Sequence, residues 1–574
     1  MSPVEVVELK KQLTELGFNL LFDVGDQPTA WLRHAIREFQ IYARLPRVAK
    51  VKQGSANEAR WLDRLEATNN SKRYTGQIDG IYDRASVQPI LDHWTAAKYR
   101  CPVVAEIYIR IGKAKWSELG EGSSDVRGNY WRYDDPRIKA FVKASKRDKP
   151  YGELHVRICD LTGQFEEEHK ASVMSGRIFK HHVSAAKGKP PDVYVGGYVA
   201  NSPLTMTSTA EVTPKNLIGK EWADLNDQAR RTFRVIRAVS EHECYGYLES
   251  INGYDDAWMS QGPCHWTLAL AVPGKAGPDD DANPGELPAF IAYWAATETN
   301  DSNAKLIQPF GVVPKPTWTN GKPPSKPGGA CSYTGRLHWM SGPIDGAAED
   351  GPISKVEDLN WIRTTHWFWR FLALARNVKS FRQRQWHMTR IRLRDILAYE
   401  IDPSDRPIKD AGSNTVAVSK LITSEVGVAL LLRCHIRKSG FMAQKKLAHP
   451  SLRLALAFAN IAEKDPAKWK TAEEAVLIEG LLASAAVAKL PADVATKLKK
   501  LTIDRVHEMR AELATLEPAG DLLAQCRKLL SWPDRSQFEW GRKGAAFKLP
   551  EEVATPALRS ERGSFQLDKD NLPT

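Results

Sequence analysis

Apolar positions along the chain change their spacing from one region to the next, and the changes predict its elements. Near the N-terminus Val6, Leu9, Leu13 and Leu16 recur at helical spacing and stop at Gly17, a residue suited to ending a helix. The spacing repeats from about Thr29 with Trp31, Ala35, Ile36 and Phe39. Val87, Ile90, Leu91 and Trp94 mark a third helix, where Pro89 is tolerable only near the first turn. A polar stretch from Lys50 to Lys72 and a Gly- and Asp-rich turn from Tyr74 to Tyr82 separate the second and third. Residues 1–98 therefore read as a small helical unit.

From 99 to 220 the pattern changes. The runs Glu106–Ile111, Glu153–Ile158 and Val193–Val199 are rich in β-favouring residues that partly alternate with polar ones, which predicts a β-rich middle segment with long loops and no assignable chemistry. From 221 to 574 helices dominate, with helical apolar spacing at Lys420–Arg437, Ser451–Glu463 and Ala472–Lys489. Gly311 to Gly329 holds five prolines and four glycines and reads as a loop or linker. The polar tail from Arg559 to Thr574 reads as loosely ordered. The fold class expected is mainly α, with a β-rich middle.

Composition narrows the picture further. A length of 574 residues allows about three to five domains. Hydrophobic residues at 42% and charged residues at 26% are ordinary globular values, which argues against global disorder or a coiled-coil rod. The formal charge of +12 suits an anionic polymer such as cell wall, nucleic acid or a membrane surface. Eighteen tryptophans are many, and indole rings serve well as walls for sugars or bases. No apolar run reaches the roughly 18 residues of a membrane span, the best one, Val426 to Leu432, being cut off by Arg433. The start, MSPVEVVELKKQL, lacks the basic and apolar regions of a secretory signal. Seven cysteines without a CxxC pair point to reduced, mostly buried thiols, not to disulfides or structural zinc.

The stretch from Ile236 to Thr267 carries the chemistry. An apolar helix with Phe233, Ile236 and Val239 delivers Ser240-Glu241-His242-Glu243-Cys244. Then follow Ile251-Asn252-Gly253-Tyr254-Asp255 and Ser260-Gln261-Gly262-Pro263-Cys264-His265-Trp266. A Glu that ends a helix among apolar neighbours is partly desolvated, which favours the protonated form that a general acid needs. Such an acid can protonate the leaving oxygen of a glycosidic bond.

Two resemblances give this chemistry a context. Leu9, Leu13, Leu16-Gly17-Phe18, Ala35-Ile36-Arg37-Glu38-Phe39-Gln40 and Ile78-Asp79-Gly80 resemble the peptidoglycan-binding domain family found beside bacterial wall hydrolases, with an insertion at 46–73. The segment 236–267 resembles the lysozyme-like muramidase and lytic transglycosylase superfamily, in which a catalytic Glu ends a helix and a segment of the form SxGxxQ follows. Glu243 stands in the acid's place, followed by Cys244 where Ser or Gly is usual, and Ser260, Gly262 and His265 match the later segment with His in place of Gln. The resemblance implies Glu243 as acid, Asp255 as second carboxylate, and Tyr254, Ser260, His265 and Trp266 as substrate-binding residues. It implies neither metal nor cofactor.

Other assignments stay open at this point. Glu241 is two residues from Glu243 and points about 160° away on a helix, so one of the two faces a cleft and the other solvent. Glu249 is a third rival acid, and Asp256 and Glu298 compete with Asp255. Asp255 is also a natural turn former beside Gly and Asn. Tyr293 and Trp294 suit either a core or a sugar groove. Cys244 near His242, or Cys264 beside His265, would suit a Cys-dependent wall amidase or peptidase. The window Trp361 to Arg394 interleaves seven aromatics with nine Lys/Arg and no acid, which fits either a buried stripe with solvated cations or a polymer-binding face.

Taken together the sequence is expected to encode a peptidoglycan hydrolase that cleaves the bond between N-acetylmuramic acid and N-acetylglucosamine. The expected parts are a peptidoglycan-binding unit over 1–98, a β-rich segment over 99–220 and a lysozyme-like catalytic domain with a helical C-terminal extension over 221–574. A lytic transglycosylase, the thiol enzyme and a non-enzymatic wall-binding or virion protein are the alternatives. The expected partners are peptidoglycan, with an immunity protein or a secretion-system carrier beside it, and neither nucleic acid nor a membrane span. Synthesis in the cytoplasm without a signal peptide implies action in the periplasm or cell wall after delivery by a holin, a contractile system such as type VI, or a virion.

Overall fold

In the computed structural model the described residues are in the main 1–16, 25–45, 70–100, 211–248, 257–298, 311–318, 333–341, 348–364, 378–401, 416–437, 461–486 and 558–572. Shorter pieces and the backbone of strands between 47 and 67 and between 103 and 195 complete them. The longer helices are α1 Pro3–Glu15, α2 Ala30–Tyr42, α3 Gln88–Ala97, α4 Asp227–Glu243, α5 Glu286–Thr297, α6 Val356–Thr364, α7 Lys379–Ala398, α8 Glu425–Arg437 and α9 Thr471–Ala486. Small antiparallel sheets lie between them, so the architecture is mixed α with β where the sequence pattern predicts mainly α.

The three expected N-terminal helices form where spacing and caps place them. Ser2 and Glu5 close a reciprocal capping box at the start of α1, and the Thr29 hydroxyl accepts the Leu32 N–H at the start of α2. Pro89 sits in the first turn of α3. Phe39 meets Phe18 edge-on at 5.8 Å and Trp94 at 5.2 Å in the core of the unit. The Phe39-Gln40 pair and the Asp79-Gly80 turn belong together physically. The Gln40 amide donates to Asp79 Oδ1, and its oxygen accepts the N–H groups of Asp79 and Gly80. Gly80 adopts φ +71°, and a Cβ there would strike the Arg33 carbonyl.

Two stretches expected to be irregular contain strands. Arg47–Val51 pairs with Leu62–Ala67 inside the polar insertion, and Tyr99–Arg100 adds a third strand. Val48 of the first strand and Tyr99 of the third are buried in the core. Val312–Pro316, inside the proline-rich stretch, is the edge strand of a sheet with Gly335–Ser341 and Ala348–Pro352. Proline is tolerated at an edge, where the missing N–H faces away from the ladder. Residues 319–332 lie outside the described residues. In the middle segment Lys115–Glu118, Val103–Ile111, Pro150–Cys159 and Glu166–Met174 form a four-stranded antiparallel sheet, and Tyr130–Arg132, Val193–Val195 and Lys180–His181 a smaller one.

The N-terminal unit is docked on the rest of the chain through α2. Trp31 meets Trp361 of α6 edge-on at 5.5 Å, and His34 stacks on Trp339 at 5.1 Å while its Nε2 lies 2.8 Å from Asp358. Trp361 Nε1 donates to the buried Glu38 carboxylate at 2.9 Å. Within Trp361–Arg394, Trp361, Trp367, Phe371, Phe381 and Trp386 are all buried, so these rings are core. Tyr293 and Trp294 are core as well.

The expected looseness of the C-terminal tail is corrected by residues 558–572. Phe565 N–H bonds Thr423 O, Asp568 N–H bonds Thr232 Oγ1, and Arg390 pairs with Asp568 at 2.8 Å. The polar groups of the tail bond Thr232 of α4, Arg390 of α7 and the segment around Thr423. Among the described residues no helix is long and apolar enough to cross a membrane.

Candidate active site

The helix that carries the candidate acid is fixed at both ends. Asn226 caps α4 by accepting the Ala229 N–H at 2.7 Å, and Phe233, Ile236 and Val239 bury their side chains as their spacing predicts. Arg234, also on α4, forms a buried ion pair with Glu425 at the start of α8, which packs alongside. Glu243 is the last residue of α4. Directly after it Cys244 and Gly246 both donate their N–H to Ser240 O at 2.9 Å, which turns the chain sharply away.

The chain returns as a three-stranded antiparallel sheet of Ile251–Asn252, Ser260–Gln261 and Trp266–Thr267. The last two strands are joined by a turn in which His265 N–H bonds Gly262 O at 2.9 Å. Gly262 has φ +74°, and a Cβ there would run into the Gln385 side chain. His265 itself is left-handed at φ +51°, unusual for a residue with a side chain. A conformation of this kind costs on the order of 1–3 kcal/mol and persists where surrounding structure enforces it. Here it carries the imidazole to the helix end, with Nδ1 3.4 Å from Glu243 Oε2. On the other side Arg433 Nε of α8 lies 3.6 Å from Glu243 Oε1. The Glu243 side chain keeps 13% of its surface and that of His265 26%, so the pair is sheltered yet reachable.

Beneath this pair lies a buried polar layer. Arg392 of α7 donates to Glu286 Oε2 at 3.0 Å and to His435 Nδ1 at 2.9 Å, and its guanidinium covers the Trp266 ring at 5.3 Å. Because His435 Nδ1 accepts from Arg392, its proton sits on Nε2 and points to Tyr399 OH, 3.2 Å away. Burial, and then the charge of Arg392, hold the His435 pKa well below the ordinary histidine value. Cys264 is fully buried, donates to Thr389 Oγ1 at 3.2 Å, and has its thiol pKa pushed up to about 12 by that burial.

The expected site residues thus divide. Glu243 and His265 are brought together. Ser260 and Trp266 are buried at 1% and 0% exposure, and Trp266 stacks on Phe290 at 5.9 Å. The short strands turn both side chains inward, away from the surface that Glu243 and His265 share. Tyr254, Asp255, Asp256 and Glu249 lie outside the described residues, as does the side chain of Glu241. Glu298 is hydrogen-bonded by the Ser380 hydroxyl at the start of α7. Arg433 is the residue that sequence reasoning missed. Its signal was present as the single charge that ends the apolar run of α8, but nothing local ties it to a residue 190 positions earlier.

Among the described residues no group of His, Cys, Asp and Glu is arranged to hold a metal ion. No family model matches this chain, and comparison with curated proteins and with solved structures gives no match.

Proposed function

We propose that this protein is a peptidoglycan hydrolase that cleaves the glycosidic bond between N-acetylmuramic acid and N-acetylglucosamine, with Glu243 as general acid. The observation that carries the reading is the sheltered yet reachable carboxyl group of Glu243 at the end of α4. In this reading the Glu243 carboxyl gives its proton to the leaving glycosidic oxygen. Arg433 and His265 then stabilise the carboxylate that remains, and Glu243 recovers its proton from the water that attacks the anomeric carbon, the water's hydroxyl becoming the new reducing end. Asp255, in the connection between Ile251–Asn252 and Ser260–Gln261, takes the second carboxylate role, and Tyr254 binds the sugar. The resemblance of residues 1–98 to wall-binding domains supplies the anchor, and delivery to the periplasm or wall completes the proposal. The sealed, high-pKa thiol of Cys264 weighs against a nucleophile there.

The test is digestion of purified sacculi with product analysis by mass spectrometry. The wild-type chain should release soluble muropeptides with reducing N-acetylmuramic acid ends. Glu243→Gln, which keeps the shape but cannot cycle a proton, should lose a factor on the order of 10²–10⁴ in rate. Products with 1,6-anhydro ends would make the enzyme a transglycosylase. Sacculus binding with no release of muropeptides would leave only a wall-binding protein.

A further inference from the structure

A second concave site lies at the other end of α4 from Glu243. Its cavity measures about 430 Å³ and is lined by Trp222, Asp227, Arg230, Arg231 and Arg234, together with Arg559 of the C-terminal tail. At 1.5 Å per residue, Arg230 is about 20 Å along the helix from Glu243. The two sites therefore do not overlap. The volume is within the range of small-molecule pockets, roughly 300–1,000 Å³.

The lining is strongly basic. Arg234 is neutralised by Glu425, and Arg230 has Asp227 3.8 Å away. Four guanidiniums thus face two carboxylates among these residues and their direct partners, which leaves two positive charges uncompensated. Arg230 is also held in place: it donates to the Trp222 and Ala223 carbonyls at 3.3 and 3.0 Å and covers the Trp222 ring at 5.5 Å. Carbonyl contacts orient a guanidinium without cancelling its charge. Arg231 reaches Gly563 O of the tail at 3.5 Å, and the exposed Arg559 is anchored through its backbone N–H to Glu425 Oε2 at 3.0 Å. The arginine side chains thus converge from two segments that are themselves fixed.

We infer that this cavity binds the dianionic phosphate of a phosphate monoester, between Arg230 and Arg231 of α4 and Arg559 of the tail, with the organic part of the ligand against Trp222. Arginine forks match phosphate oxygens in pairs, and a surplus of two charges matches a dianion better than a carboxylate or a phosphodiester. Such a ligand would also tie the tail to α4, because its oxygens would bridge residues of both.

The test uses methyl phosphate as probe, with dimethyl phosphate, acetate and sodium chloride at equal ionic strength as comparisons, read by calorimetry and by thermal unfolding of the full chain. Methyl phosphate should bind saturably and raise the melting temperature, with the comparisons at least tenfold weaker. The double substitution Arg231→Gln and Arg559→Gln should weaken methyl phosphate at least tenfold and leave the melting temperature without ligand nearly unchanged. Arg230 and Arg234 are left intact because they hold backbone and Glu425. Equal responses to methyl phosphate and to sodium chloride would overturn the proposal, as would binding of dimethyl phosphate at the same strength or unchanged binding in the double variant. Sacculus digestion does not enter this readout, so the phosphate site and the hydrolase reading stand or fall separately.

Discussion

The docking of the N-terminal unit can be tested on one hydrogen bond. Trp361 is fully buried, donates its indole N–H to Glu38 at 2.9 Å, and is packed edge-on by Trp31. Trp361→Phe keeps an aromatic ring but deletes the donor, while Glu38→Leu deletes the acceptor. Each single change also alters packing and other contacts, so neither alone measures the bond. The double-mutant cycle cancels those side effects. A hydrogen bond to a buried charged group contributes about 1.5–3 kcal/mol, equivalent to roughly a 10- to 150-fold change in an unfolding constant. The coupling energy should fall in that interval, with both single variants destabilised by more than the pair's additive shortfall. The assay is urea unfolding of the four proteins, followed by fluorescence and by circular dichroism so that separate transitions are seen. A coupling within about 0.5 kcal/mol of zero would refute the argument, because the Trp361–Glu38 bond would then contribute nothing to the docking of α2 on α6.

Two more outcomes follow from buried charge. His387 lies between Tyr293 and the Asn571 carbonyl, and its pKa is pushed down to about 4, by burial first and then by Arg390 and Arg384. The unfolded chain takes up this proton below about 6.5 and the folded chain does not. Stability should therefore be level above that pH and fall between about 6.5 and 4, by up to about 3 kcal/mol from this group; a His387→Gln variant with an unchanged acid slope would refute it. Glu425→Gln leaves Arg234 buried without its ionic partner and should cost about 3–5 kcal/mol in denaturant unfolding, and a loss under about 1 kcal/mol would show that the pair is not sealed from water.

Much of the local structure was readable in the sequence. Ser2, Thr29, Asn226 and Pro89 act through neighbours a few residues away, so helix starts are visible in a short window. The end of α4 at Glu243 was expected from the apolar spacing before it and from the resemblance. What escaped notice depends on distant partners. The strand Val312–Pro316 exists because Gly335–Ser341 offers an edge, against the local signal of its prolines. The tail is ordered by Thr232, Arg390 and Thr423, none of which its own polar residues announce. Arg433 joins the site only because α8 packs beside α4. His265 and Trp266 are adjacent in sequence, yet one faces Glu243 and the other the core, and the sign of a single φ angle accompanies that division.

The attachment of the tail also bears on the order of events during synthesis. Thr232 on the helix that ends in Glu243 bonds Asp568, a residue made 336 positions later. Arg234 on the same helix waits for Glu425, 191 positions later. A chain leaving the ribosome N-terminus first exposes this helix, with a cation meant for the interior, long before its partners emerge. Contacts of such long sequence separation form slowly and leave apolar surface open to other chains in the meantime. The helix that positions the carboxyl group is therefore completed late in biogenesis, and a nascent chain halted before residue 558 holds Glu243 on a helix that still lacks the tail's bonds at Thr232.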